Sequence, residues 1–346
     1  MIDSTVLVTG STGFLAQHVI DKLLQRKYEV IGTTRSEEKS AFLLNNFKGK
    51  YPSAKLSFEV VADIAAKDAF DELLKKHPEI KYVIHTASPV TPDSAKSFEA
   101  GYLAPALNGT LSILNAIKLY APQVTNVVIT SSYAALTEQG NEPKGVVITN
   151  KSWNPMNWED VKTWLDAYSV SKKYAEQAAW KFYEDEKPSF KLATVNPPFV
   201  LGPQVFDNSL NKQLNVSNNM LSEITHIDPA ATGPQTMSPV LAISAPDIAE
   251  FHILPLENKE LENERLFVVG APLIAQKVLN ILNDNFPELR GKIAKGDYDS
   301  ADDLIAELCP KYDISATVKK ASDYKFASVE NAIVDVFKQY LSKYSI

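Results

Sequence analysis

The sequence predicts an α/β fold in which helices cover both faces of a doubly wound parallel β-sheet. Six short runs rich in β-branched residues alternate with helical patterns. The runs are residues 5–9, 29–33, 56–61, 82–85, 126–130 and 191–195, and the helical patterns lie near 14–27, 66–77, 97–120 and 165–186. Because the runs are apolar almost throughout, they are typical of parallel strands buried on both faces. Their alternation with helices predicts βαβ units and hence the doubly wound sheet.

The pattern changes after Asn196, and this change predicts a second, smaller part of the molecule. Three prolines and a glycine within residues 197–203 interrupt the alternation, and polar residues dominate residues 207–238. Two more helical patterns lie near 274–285 and 328–343. The predicted domains are residues 1–196, which form the sheet, and residues 197–346, a smaller substrate lobe that returns some segments to the first domain.

The composition fits a globular protein and excludes two classes of partner. Hydrophobic residues make up 45% of the 346 positions and charged residues 22%, which is enough apolar material for a sizeable core. The net charge of -7 lacks the basic excess of nucleic-acid-binding proteins. No run approaches the ~18 apolar residues of a membrane span. We therefore expect neither a nucleic-acid partner nor a membrane anchor, and the five scattered histidines show no metal-ligand spacing.

The single cysteine and the N-terminus predict a cytoplasmic protein. Cys309 has no second cysteine with which to form an internal disulfide, and this favours a reducing compartment. The N-terminus has no positively charged region, and its apolar run is too short for a signal peptide. We expect Cys309 to be an unreactive thiol, since reactive thiols need an electropositive setting.

The first strand leads directly into a glycine-containing turn that opens a helix, which is the arrangement of a dinucleotide site. Gly10 can make the tight turn, Gly13 lets the backbone approach a pyrophosphate, and the small Ala16 lets helix and strand pack closely. Free N–H groups at the helix N-terminus then face the phosphates. The predicted cofactor contacts in this turn are Gly10, Ser11, Thr12, Gly13, Phe14 and Leu15. The turn therefore predicts a Rossmann domain that binds a nicotinamide dinucleotide.

The end of the second strand predicts that the cofactor is NADPH/NADP+ rather than NADH/NAD+. An NAD enzyme places an acid there for the ribose 2′-hydroxyl, whereas this strand ends at Arg35 with no acid until Glu37. Arg35 can bind a 2′-phosphate through two hydrogen bonds and stack under the adenine, and Lys39 can add positive charge. After the third strand, Asp63 and Ile64 should lie at the adenine. Asp63 can bond the adenine amino group or cap the next helix.

Three polar residues at and beyond the end of the fifth strand predict carbonyl reduction. Tyr168 and Lys172 are four residues apart on a predicted helix, so both side chains project from one face. A free tyrosine has a pKa near ~10, and we expect the Lys172 ammonium and a cationic nicotinamide to lower it, so that the phenol can protonate an alkoxide. Lys172 can also hold the nicotinamide ribose, and Ser132 can stabilise the oxyanion. Ser131 is an alternative to Ser132, because spacing alone does not choose between the two serines.

These motifs resemble those of the extended short-chain dehydrogenase/reductase superfamily, and more narrowly the yeast methylglyoxal/isovaleraldehyde reductases, fungal carbonyl (ketone) reductases and plant dihydroflavonol reductases. The similarity covers nearly the whole chain and includes residues 10–18, 33–39, 85–89, 130–135, 153–155, 168–179 and 196–204. It implies catalytic roles for Ser132, Tyr168 and Lys172, with Ser132 preferred to Ser131, and an NADPH-selecting role for Arg35. The further cofactor contacts that it implies are Thr86, Ala87, Ser88, Thr130, Tyr168, Lys172 and Pro197.

The chain departs from related sequences at two places. Relatives often carry an arginine in the C-terminal lobe where this chain has Pro246, and the flanking Ser244 and Asp247 predict a helix cap. Many sugar-nucleotide epimerases resemble this chain but have an asparagine at the position of Ala106. They also have a Tyr-Gly pair shortly after the serine, where residues 134–136 are Ala-Ala-Leu. Both epimerase features are absent from this sequence.

The substrate pocket that the sequence predicts is mostly apolar. Its predicted wall consists of Val90, Ser132, Tyr133, Pro198, Phe199 and Val200, with residues 207–238 as a lid. Within the lid, Leu214, Asn218 and Met237 are placed to reach the substrate. The wall has no arginine cluster for a diphosphate, so we expect a small apolar aldehyde, ketone or keto ester rather than a nucleotide sugar.

Three functions are compatible with these patterns. The first is NADPH-dependent reduction of a carbonyl compound to an alcohol. The second is a lyase or isomerase reaction on the same fold with a retained nicotinamide, and the third is non-catalytic sensing of NADPH. Net consumption of NADPH with an aldehyde or ketone distinguishes the first from the other two. The physiological substrate, the stereochemistry and the choice between monomer and homodimer stay open.

Overall fold

The computed structural model describes residues 4–88 and 97–346, which form one seven-stranded sheet, two smaller sheets and the helices around them. The strands of this part of the chain are β1 (Thr5–Thr9), β2 (Glu29–Thr34), β3 (Leu56–Val60), β4 (Ile80–His85), β5 (Asn126–Thr130), β6 (Val147–Ile148), β7 (Lys191–Asn196), β8 (Phe199–Leu201), β9 (Val240–Ser244), β10 (Arg265–Phe267), β11 (Ala271–Leu273) and β12 (Lys311–Tyr312). The α-helices are α1 (Phe14–Gln25), α2 (Glu37–Lys50), α3 (Asp71–Lys76), α4 (Ala104–Tyr120), α5 (Trp164–Glu186), α6 (Val216–Thr225), α7 (Ala245–Glu257), α8 (Ala275–Asn285), α9 (Ala301–Leu308), α10 (Ser315–Lys320) and α11 (Val329–Leu341).

The main sheet changes its direction of growth between β1 and β4. Its strand order is β3-β2-β1-β4-β5-β7-β10, and every neighbouring pair is parallel. The chain builds one half outwards from β1 to β3 and then returns to build the other half from β4. In doubly wound sheets, ligands bind beyond the carboxyl ends of the strands at such a point. The glycine turn after β1 and the residues after β4 therefore lie at the cofactor crevice.

This sheet confirms the predicted fold class. All six predicted strands are present, two of them with the predicted bounds and four with differences of one or two residues at an end. The helical pattern predicted near 66–77 is realised only as the short α3, and the pattern near 97–120 begins as a π-helix at Glu99–Leu103 before α4. The alternation of strands and helices was thus sufficient to predict the architecture.

Helix α2 is absent from the predicted elements. Its start has recognisable signals: the Ser36 side chain accepts the N–H of Lys39, and Glu37 and Glu38 occupy the first turn. Its interior gives little periodic signal, because only Leu43 and Phe47 are buried. A helix with such a narrow apolar stripe is difficult to recognise from the pattern of hydrophobic residues.

The segment after residue 196 contributes to both parts of the molecule. Strands β8, β9 and β11 form a three-stranded sheet, and α6, α8 and α11 pack beside it. Helix α7 packs on α1, and β10 pairs with β7 at the edge of the main sheet. The predicted cap of α7 is present, since the Ser244 hydroxyl accepts the N–H of Asp247 at 3.1 Å. Pro246 lies in the first turn of this helix, where a proline is well tolerated.

Buried apolar clusters hold the sheet between its helices. Val6 and Val8 of β1 belong to the cluster on one face, and Leu7 belongs to the cluster on the other face. This alternation is the two-residue period of a β-strand, and it shows that β1 is covered on both sides. A third cluster, which includes Leu201 and Leu279, fills the C-terminal lobe.

Cys309 lies in the interior as a free thiol. The Cys309 thiol is buried and donates to the Leu273 carbonyl at 3.3 Å, and burial raises the pKa of the thiol to about 11. Across residues 4–88 and 97–346, no helix combines the length and apolar character needed to cross a bilayer. The same part of the chain contains no His, Cys, Asp and Glu cluster suited to a metal ion.

Candidate active site

The turn after β1 forms a backbone cradle at the N-terminus of α1. Gly10 has a φ of +68°, a left-handed conformation that favours glycine. A Cβ atom on Gly10 would lie 2.8 Å from the Cα of Ala87, so no side chain fits between the ends of β1 and β4. The Gly13 N–H donates to the Gly10 carbonyl at 2.9 Å, and α1 begins without a side-chain cap. The N–H groups of Phe14 and Leu15 therefore lack intrahelical acceptors and can bind an anion such as a pyrophosphate.

Ser11 and Thr12 occupy the middle of the turn in different ways. Ser11 is buried, and its N–H donates to the Thr33 carbonyl at 2.9 Å while its hydroxyl donates to the Val8 carbonyl at 3.0 Å. Both donors of Ser11 thus hold the turn against β1 and β2, so any cofactor contact by Ser11 uses its other atoms. Thr12 is exposed at the tip, and its carbonyl accepts from Gln17 Nε2 at 3.1 Å.

Exposed polar side chains follow β2 and β3, where the adenosine half of a dinucleotide is expected. Arg35 directly follows β2 and Lys39 lies in the first turn of α2. Both are exposed, and neither forms a salt bridge within the described ranges. Asp63 accepts the N–H of Ala65 at 2.9 Å, so it does cap a turn, and Ile64 is half-buried beside it. The two unpaired cations suit a 2′-phosphate.

The residues after β4 are tied to the end of β1. The Thr86 hydroxyl donates to the Thr9 carbonyl at 2.5 Å, and the Ala87 N–H donates to the Thr9 hydroxyl at 3.2 Å. The Thr9 hydroxyl also bonds His85 Nδ1 at 2.9 Å. Ala87 and Ser88 line a small cavity of about 10 Å³, close to the volume that one water molecule needs. Hydrogen bonds therefore join the ends of β1 and β4 at the switch point of the sheet, where the cofactor crevice lies.

The side chains of Ser132, Tyr168 and Lys172 come together at the carboxyl end of β5. Ser132 follows β5 and caps a short turn, where its Oγ accepts the N–H of Ala134 at 3.1 Å. The Tyr168 hydroxyl donates to Ser132 Oγ at 3.4 Å, and Lys172 Nζ donates to the Thr130 carbonyl at 2.9 Å. Tyr168 and Lys172 lie one helical turn apart in α5. The structure thus groups the three residues that the sequence predicts as the catalytic trio.

The two serines after β5 have different partners. The Ser131 hydroxyl donates to Glu176 Oε2 at 2.6 Å inside the protein, whereas the Ser132 hydroxyl lies at Tyr168. Consecutive residues in extended backbone point to opposite sides, which accounts for this separation. Ser132 is therefore the serine whose hydroxyl can reach a ligand beside Tyr168.

Burial dominates the pKa values at this site. It raises the pKa of Tyr168 above its ordinary value, and the hydrogen bond with Ser132 opposes the rise. It lowers the pKa of Lys172 to about 8, with the nearby Glu176 carboxylate opposing the fall. The lowering of the Tyr168 pKa that the sequence predicts is outweighed by burial in this structure, and Lys172 Nζ donates to the Thr130 carbonyl. Burial also lowers the pKa of His85 to about 3, so this ring is neutral.

A cavity of about 280 Å³ opens beside the hydroxyls of Ser132 and Tyr168. Among the predicted substrate contacts, Ser132, Tyr133 and Phe199 line this cavity, together with Pro197 and Pro198. The rest of its wall is formed by Gln139, Gly140, Glu142, Trp164, Leu165, Val216, Ser217, Pro239, Val240 and Leu241. A cavity of this size and character suits a small, largely apolar molecule.

The predicted wall residues Val200 and Val90 are not among the described residues that line the cavity. Val200 does not line the cavity: it belongs to the buried cluster that contains Val195 and Ile243. Side chains alternate along β8, so when Phe199 takes the cavity side Val200 takes the opposite side. The structure thus places Val200 in the core behind the cavity wall. Val90 lies outside the described residues.

The lid contributes to the cavity through other residues than those predicted. Leu214 is part of the lobe core, and Asn218 is buried and hydrogen-bonded to the backbone just after β8. The Met237 side chain is half-exposed and does not line the cavity. Within residues 207–238, Val216 and Ser217 at the start of α6 line it instead.

Several cavity residues were not predicted from the sequence. Trp164 precedes Tyr168 by four residues on α5, and this spacing places both side chains on one face of the helix. The sequence therefore contained a signal for Trp164 in its spacing from Tyr168. Gln139 and Glu142 lie in an irregular segment, where no periodicity indicates which way a side chain points.

A buried hydrogen-bond network below Lys172 was also not predicted. Glu176 follows Lys172 by one helical turn, and its side chain is fully buried. Its carboxylate accepts hydrogen bonds at 2.6–2.9 Å from Ser131, Thr194, Asn196 and Arg265. Burial raises the pKa of Glu176, but Arg265 and the other donors outweigh it and hold the pKa below its ordinary value. Asn196 Nδ2 also reaches the Ser132 carbonyl at 3.2 Å, so the network supports the backbone of the trio.

The parallel sheet, the glycine turn and the Ser-Tyr-Lys group beside a cavity define the class: a short-chain dehydrogenase/reductase of the extended type. The chain belongs to the NAD dependent epimerase/dehydratase family, whose family model matches residues 6–270. This membership confirms the resemblance inferred from the sequence motifs.

Known proteins are similar to this chain over most or all of its length. The NADPH-dependent methylglyoxal reductase GRE2 of Saccharomyces cerevisiae is 40% identical over 346 residues, which cover 97% of this chain and 98% of the relative. A crystal structure of yeast methylglyoxal/isovaleraldehyde reductase Gre2 complexed with NADPH matches with a TM-score of 0.90 at 39% identity, covering 98% of each chain. The ketoreductase azaE of Aspergillus niger is 34% identical over 292 residues, covering 84% of this chain and 85% of the relative.

Proposed function

We propose that this chain catalyses the NADPH-dependent reduction of aldehydes, ketones and keto esters to alcohols. The observation that carries the proposal is the Tyr168 hydroxyl, which lies 3.4 Å from the Ser132 hydroxyl at the wall of a mostly apolar cavity. Lys172 lies one helical turn away. The similar proteins are NADPH-dependent reductases and ketoreductases by name, which supports the same activity for this chain. The chain is accordingly an oxidoreductase, a carbonyl reductase.

The crevice residues fit NADPH. A Cβ atom would fill the Gly10 cradle, and Arg35 is an exposed cation without a salt bridge in the described chain. The proposed cofactor contacts are residues 10–15 and 86–88, with Arg35, Lys39, Asp63, Ile64, Thr130, Tyr168, Lys172 and Pro197. Arg35 and Lys39 would bind the 2′-phosphate, and the α1 N-terminus the pyrophosphate. When bound, NADPH supplies the hydride that reduces the carbonyl carbon.

The trio would stabilise and protonate the oxygen of the carbonyl group. As the carbon gains a hydride, the π electrons move to the oxygen, and the Tyr168 hydroxyl donates its proton there to complete the alcohol. Burial keeps the pKa of Tyr168 high, so the phenol holds its proton until the oxygen becomes basic. The Ser132 hydroxyl would donate a hydrogen bond to the same oxygen. The Lys172 ammonium, in turn, favours the phenolate that remains.

The cavity favours small apolar carbonyl compounds. None of the described residues that line it is an arginine or a lysine, so it offers no cation for a diphosphate. Its proposed aromatic walls are Tyr133 and Phe199, with Ser132 and Tyr168 at the reacting oxygen. We expect uncharged aldehydes and ketones to be better substrates than sugar nucleotides.

We also propose a cytoplasmic location. Cys309 is the single cysteine of the sequence and is a buried, free thiol. A protein that forms no internal disulfide is typical of a reducing compartment.

The test is the stoichiometric oxidation of NADPH with a panel of aldehydes and ketones. We expect one NADPH to be consumed for each alcohol formed. Tyr168→Phe should abolish reduction and spare NADPH binding, because the ring remains and only the proton donor is lost. General acid catalysis typically supplies ~10²–10⁴-fold, so retention of more than about a tenth of kcat would contradict the role of Tyr168. A lyase or isomerase would instead convert its substrate without net consumption of NADPH.

A further inference from the structure

The cavity beside the trio carries one acidic residue in an otherwise mostly apolar wall. Glu142 lines the cavity from the segment between Ser132 and β6. Its side chain is half-buried and lies beside the Tyr133 hydroxyl, and within residues 4–88 and 97–346 it forms no salt bridge. Apolar residues such as Trp164 and Leu165 line the same cavity. An acidic group without a cation at an apolar cavity marks a position where a ligand can supply a hydrogen-bond donor or a positive charge.

The Tyr133 hydroxyl lies beside Glu142 and forms no other hydrogen bond in the described chain. It is buried, and burial raises the pKa of Tyr133 well above its ordinary range, with Glu142 raising it further. The two groups are thus within hydrogen-bonding reach, with the Tyr133 phenol as donor and the Glu142 carboxylate as acceptor. A carboxylate has about four acceptor sites, so Glu142 can face Tyr133 and still accept a hydrogen bond from a ligand in the cavity.

Glu142 and the trio border one cavity. Tyr133 directly follows Ser132, and its ring runs from the chain at Ser132 to the hydroxyl beside Glu142. One small molecule in a cavity of about 280 Å³ can therefore contact the Ser132 and Tyr168 hydroxyls and also meet Glu142.

We propose that Glu142 is a specificity-determining residue that favours carbonyl substrates with a hydroxyl or ammonium group away from the reacting carbonyl and rejects those with a carboxylate. The proposal rests on the function proposed above. An ionised glutamate only accepts hydrogen bonds, so its partner must be a donor. A substrate carboxylate would bring a second negative charge into a cavity with apolar walls, where repulsion is less screened than in water.

Neighbouring charged residues do not neutralise the negative charge of Glu142 at the cavity wall. Glu138, in the same segment, accepts a hydrogen bond from Asn141 Nδ2 at 3.1 Å and does not line the cavity. Lys144 is exposed and is likewise not a cavity residue. Glu142 is therefore the charged side chain that a bound substrate meets among the described cavity residues.

The test compares three ketones of equal length, all with NADPH and the full-length protein: a terminal hydroxyketone, the plain methyl ketone and the keto acid. We expect kcat/KM of the wild-type protein to fall in that order. In Glu142→Gln the ratio of keto acid to plain ketone should rise by about tenfold or more, because the substitution removes the repulsion between the two carboxylates. The change should appear mainly in KM, because the distal group is bound equally before and during the reaction.

Glu138→Gln is the matched control, and it should leave the three ratios unchanged. Glu142→Ala is a second variant that removes the charge with a different side chain, and it should raise the keto acid ratio as well. If the ratios of both Glu142 variants stay within twofold of the wild type while the plain ketone is still reduced, the specificity proposal is overturned and the proposed function stands. If the wild type reduces none of the three ketones with NADPH, the proposed function fails and this proposal with it.

Discussion

The two consecutive serines after β5 show how the position of a single residue decides its chemistry. Ser131 gives its hydroxyl to the buried Glu176, and Ser132 directs its hydroxyl to Tyr168. The sequence alone left both serines open, since each is polar and both follow the same strand. The choice depends on Glu176, which comes from a helix 45 residues further along the chain. A local pattern does not contain that information.

Arg35 should determine the preference for NADPH. It is exposed after β2 without a salt bridge in the described chain, so its guanidinium can bind the 2′-phosphate. Arg35→Ala should raise KM for NADPH by about 10–100-fold, the contribution of a hydrogen bond to a charged group, and should hardly change KM for NADH. Steady-state kinetics with both cofactors provide the measurement. Lys48→Ala, an exposed change near the other end of α2, is the control, and an equal loss with both cofactors would show that Arg35 acts elsewhere.

At the scale of whole elements, the sequence was most informative where burial is complete. Six strands of the main sheet, five of them largely buried, were found with almost correct bounds, whereas strand β10 and helix α2, with two buried residues, were not found. Strand β10 is only three residues long, and its pairing with β7 joins segments about 70 residues apart. Of the site, the trio follows helical spacing and strand ends, while Glu142 and Arg265 depend on tertiary contacts that have no local signature.

The ion pair between α5 and β10 should be a major contributor to stability. Glu176 is fully buried and pairs with Arg265 Nε at 2.6 Å, and the Arg265 guanidinium lies 3.6 Å from the ring centre of Trp153. Arg265→Met should cost about 3–5 kcal/mol of unfolding free energy, because it leaves a buried carboxylate without its cation. Chemical denaturation of this variant and the wild type, with linear extrapolation to zero denaturant, measures the difference.

A double variant separates the charge effect from the loss of packing. Glu176→Gln combined with Arg265→Met removes both charges, so it should be less destabilised than Arg265→Met alone. Lys181→Met, which breaks an exposed pair with Asp185 on the same helix, is the control and should change stability little. A double variant that is less stable than Arg265→Met would contradict the account of an uncompensated Glu176 charge.

In the whole molecule, the candidate active site lies where segments that are far apart in the sequence meet. The ends of β4 and β5 and helix α5 line the small cavity, and the turn after β1 lies against Ala87 at its edge. Helix α5, strand β8 and, from the lobe, α6 and β9 line the larger cavity. This arrangement buries polar groups in the interior. Each buried titratable group then couples folding to pH.

Three buried histidines should make the molecule less stable as the pH falls below about 6.5. Burial lowers the pKa of His18 to about 4, of His85 to about 3 and of His252 to about 4. Between about pH 6.5 and pH 4 the unfolded chain binds protons at these residues and the folded protein does not. The stabilisation is complete above about pH 6.5 and is lost progressively as the pH falls towards the folded-state pKa values. At about pH 5 the loss is about 2 kcal/mol for each histidine.

Chemical denaturation at a series of pH values between about 7 and 5 measures this loss. The slope of the unfolding free energy against pH should approach the uptake of three protons, about 4 kcal/mol for each pH unit. His252→Gln should reduce that uptake by about one proton, since it removes one of the three buried rings. The exposed His226→Gln is the control for the loss of a histidine as such. A slope that is near zero, or that His252→Gln leaves unchanged, would mean that the buried rings take up protons in the folded state at the same pH as in the unfolded chain.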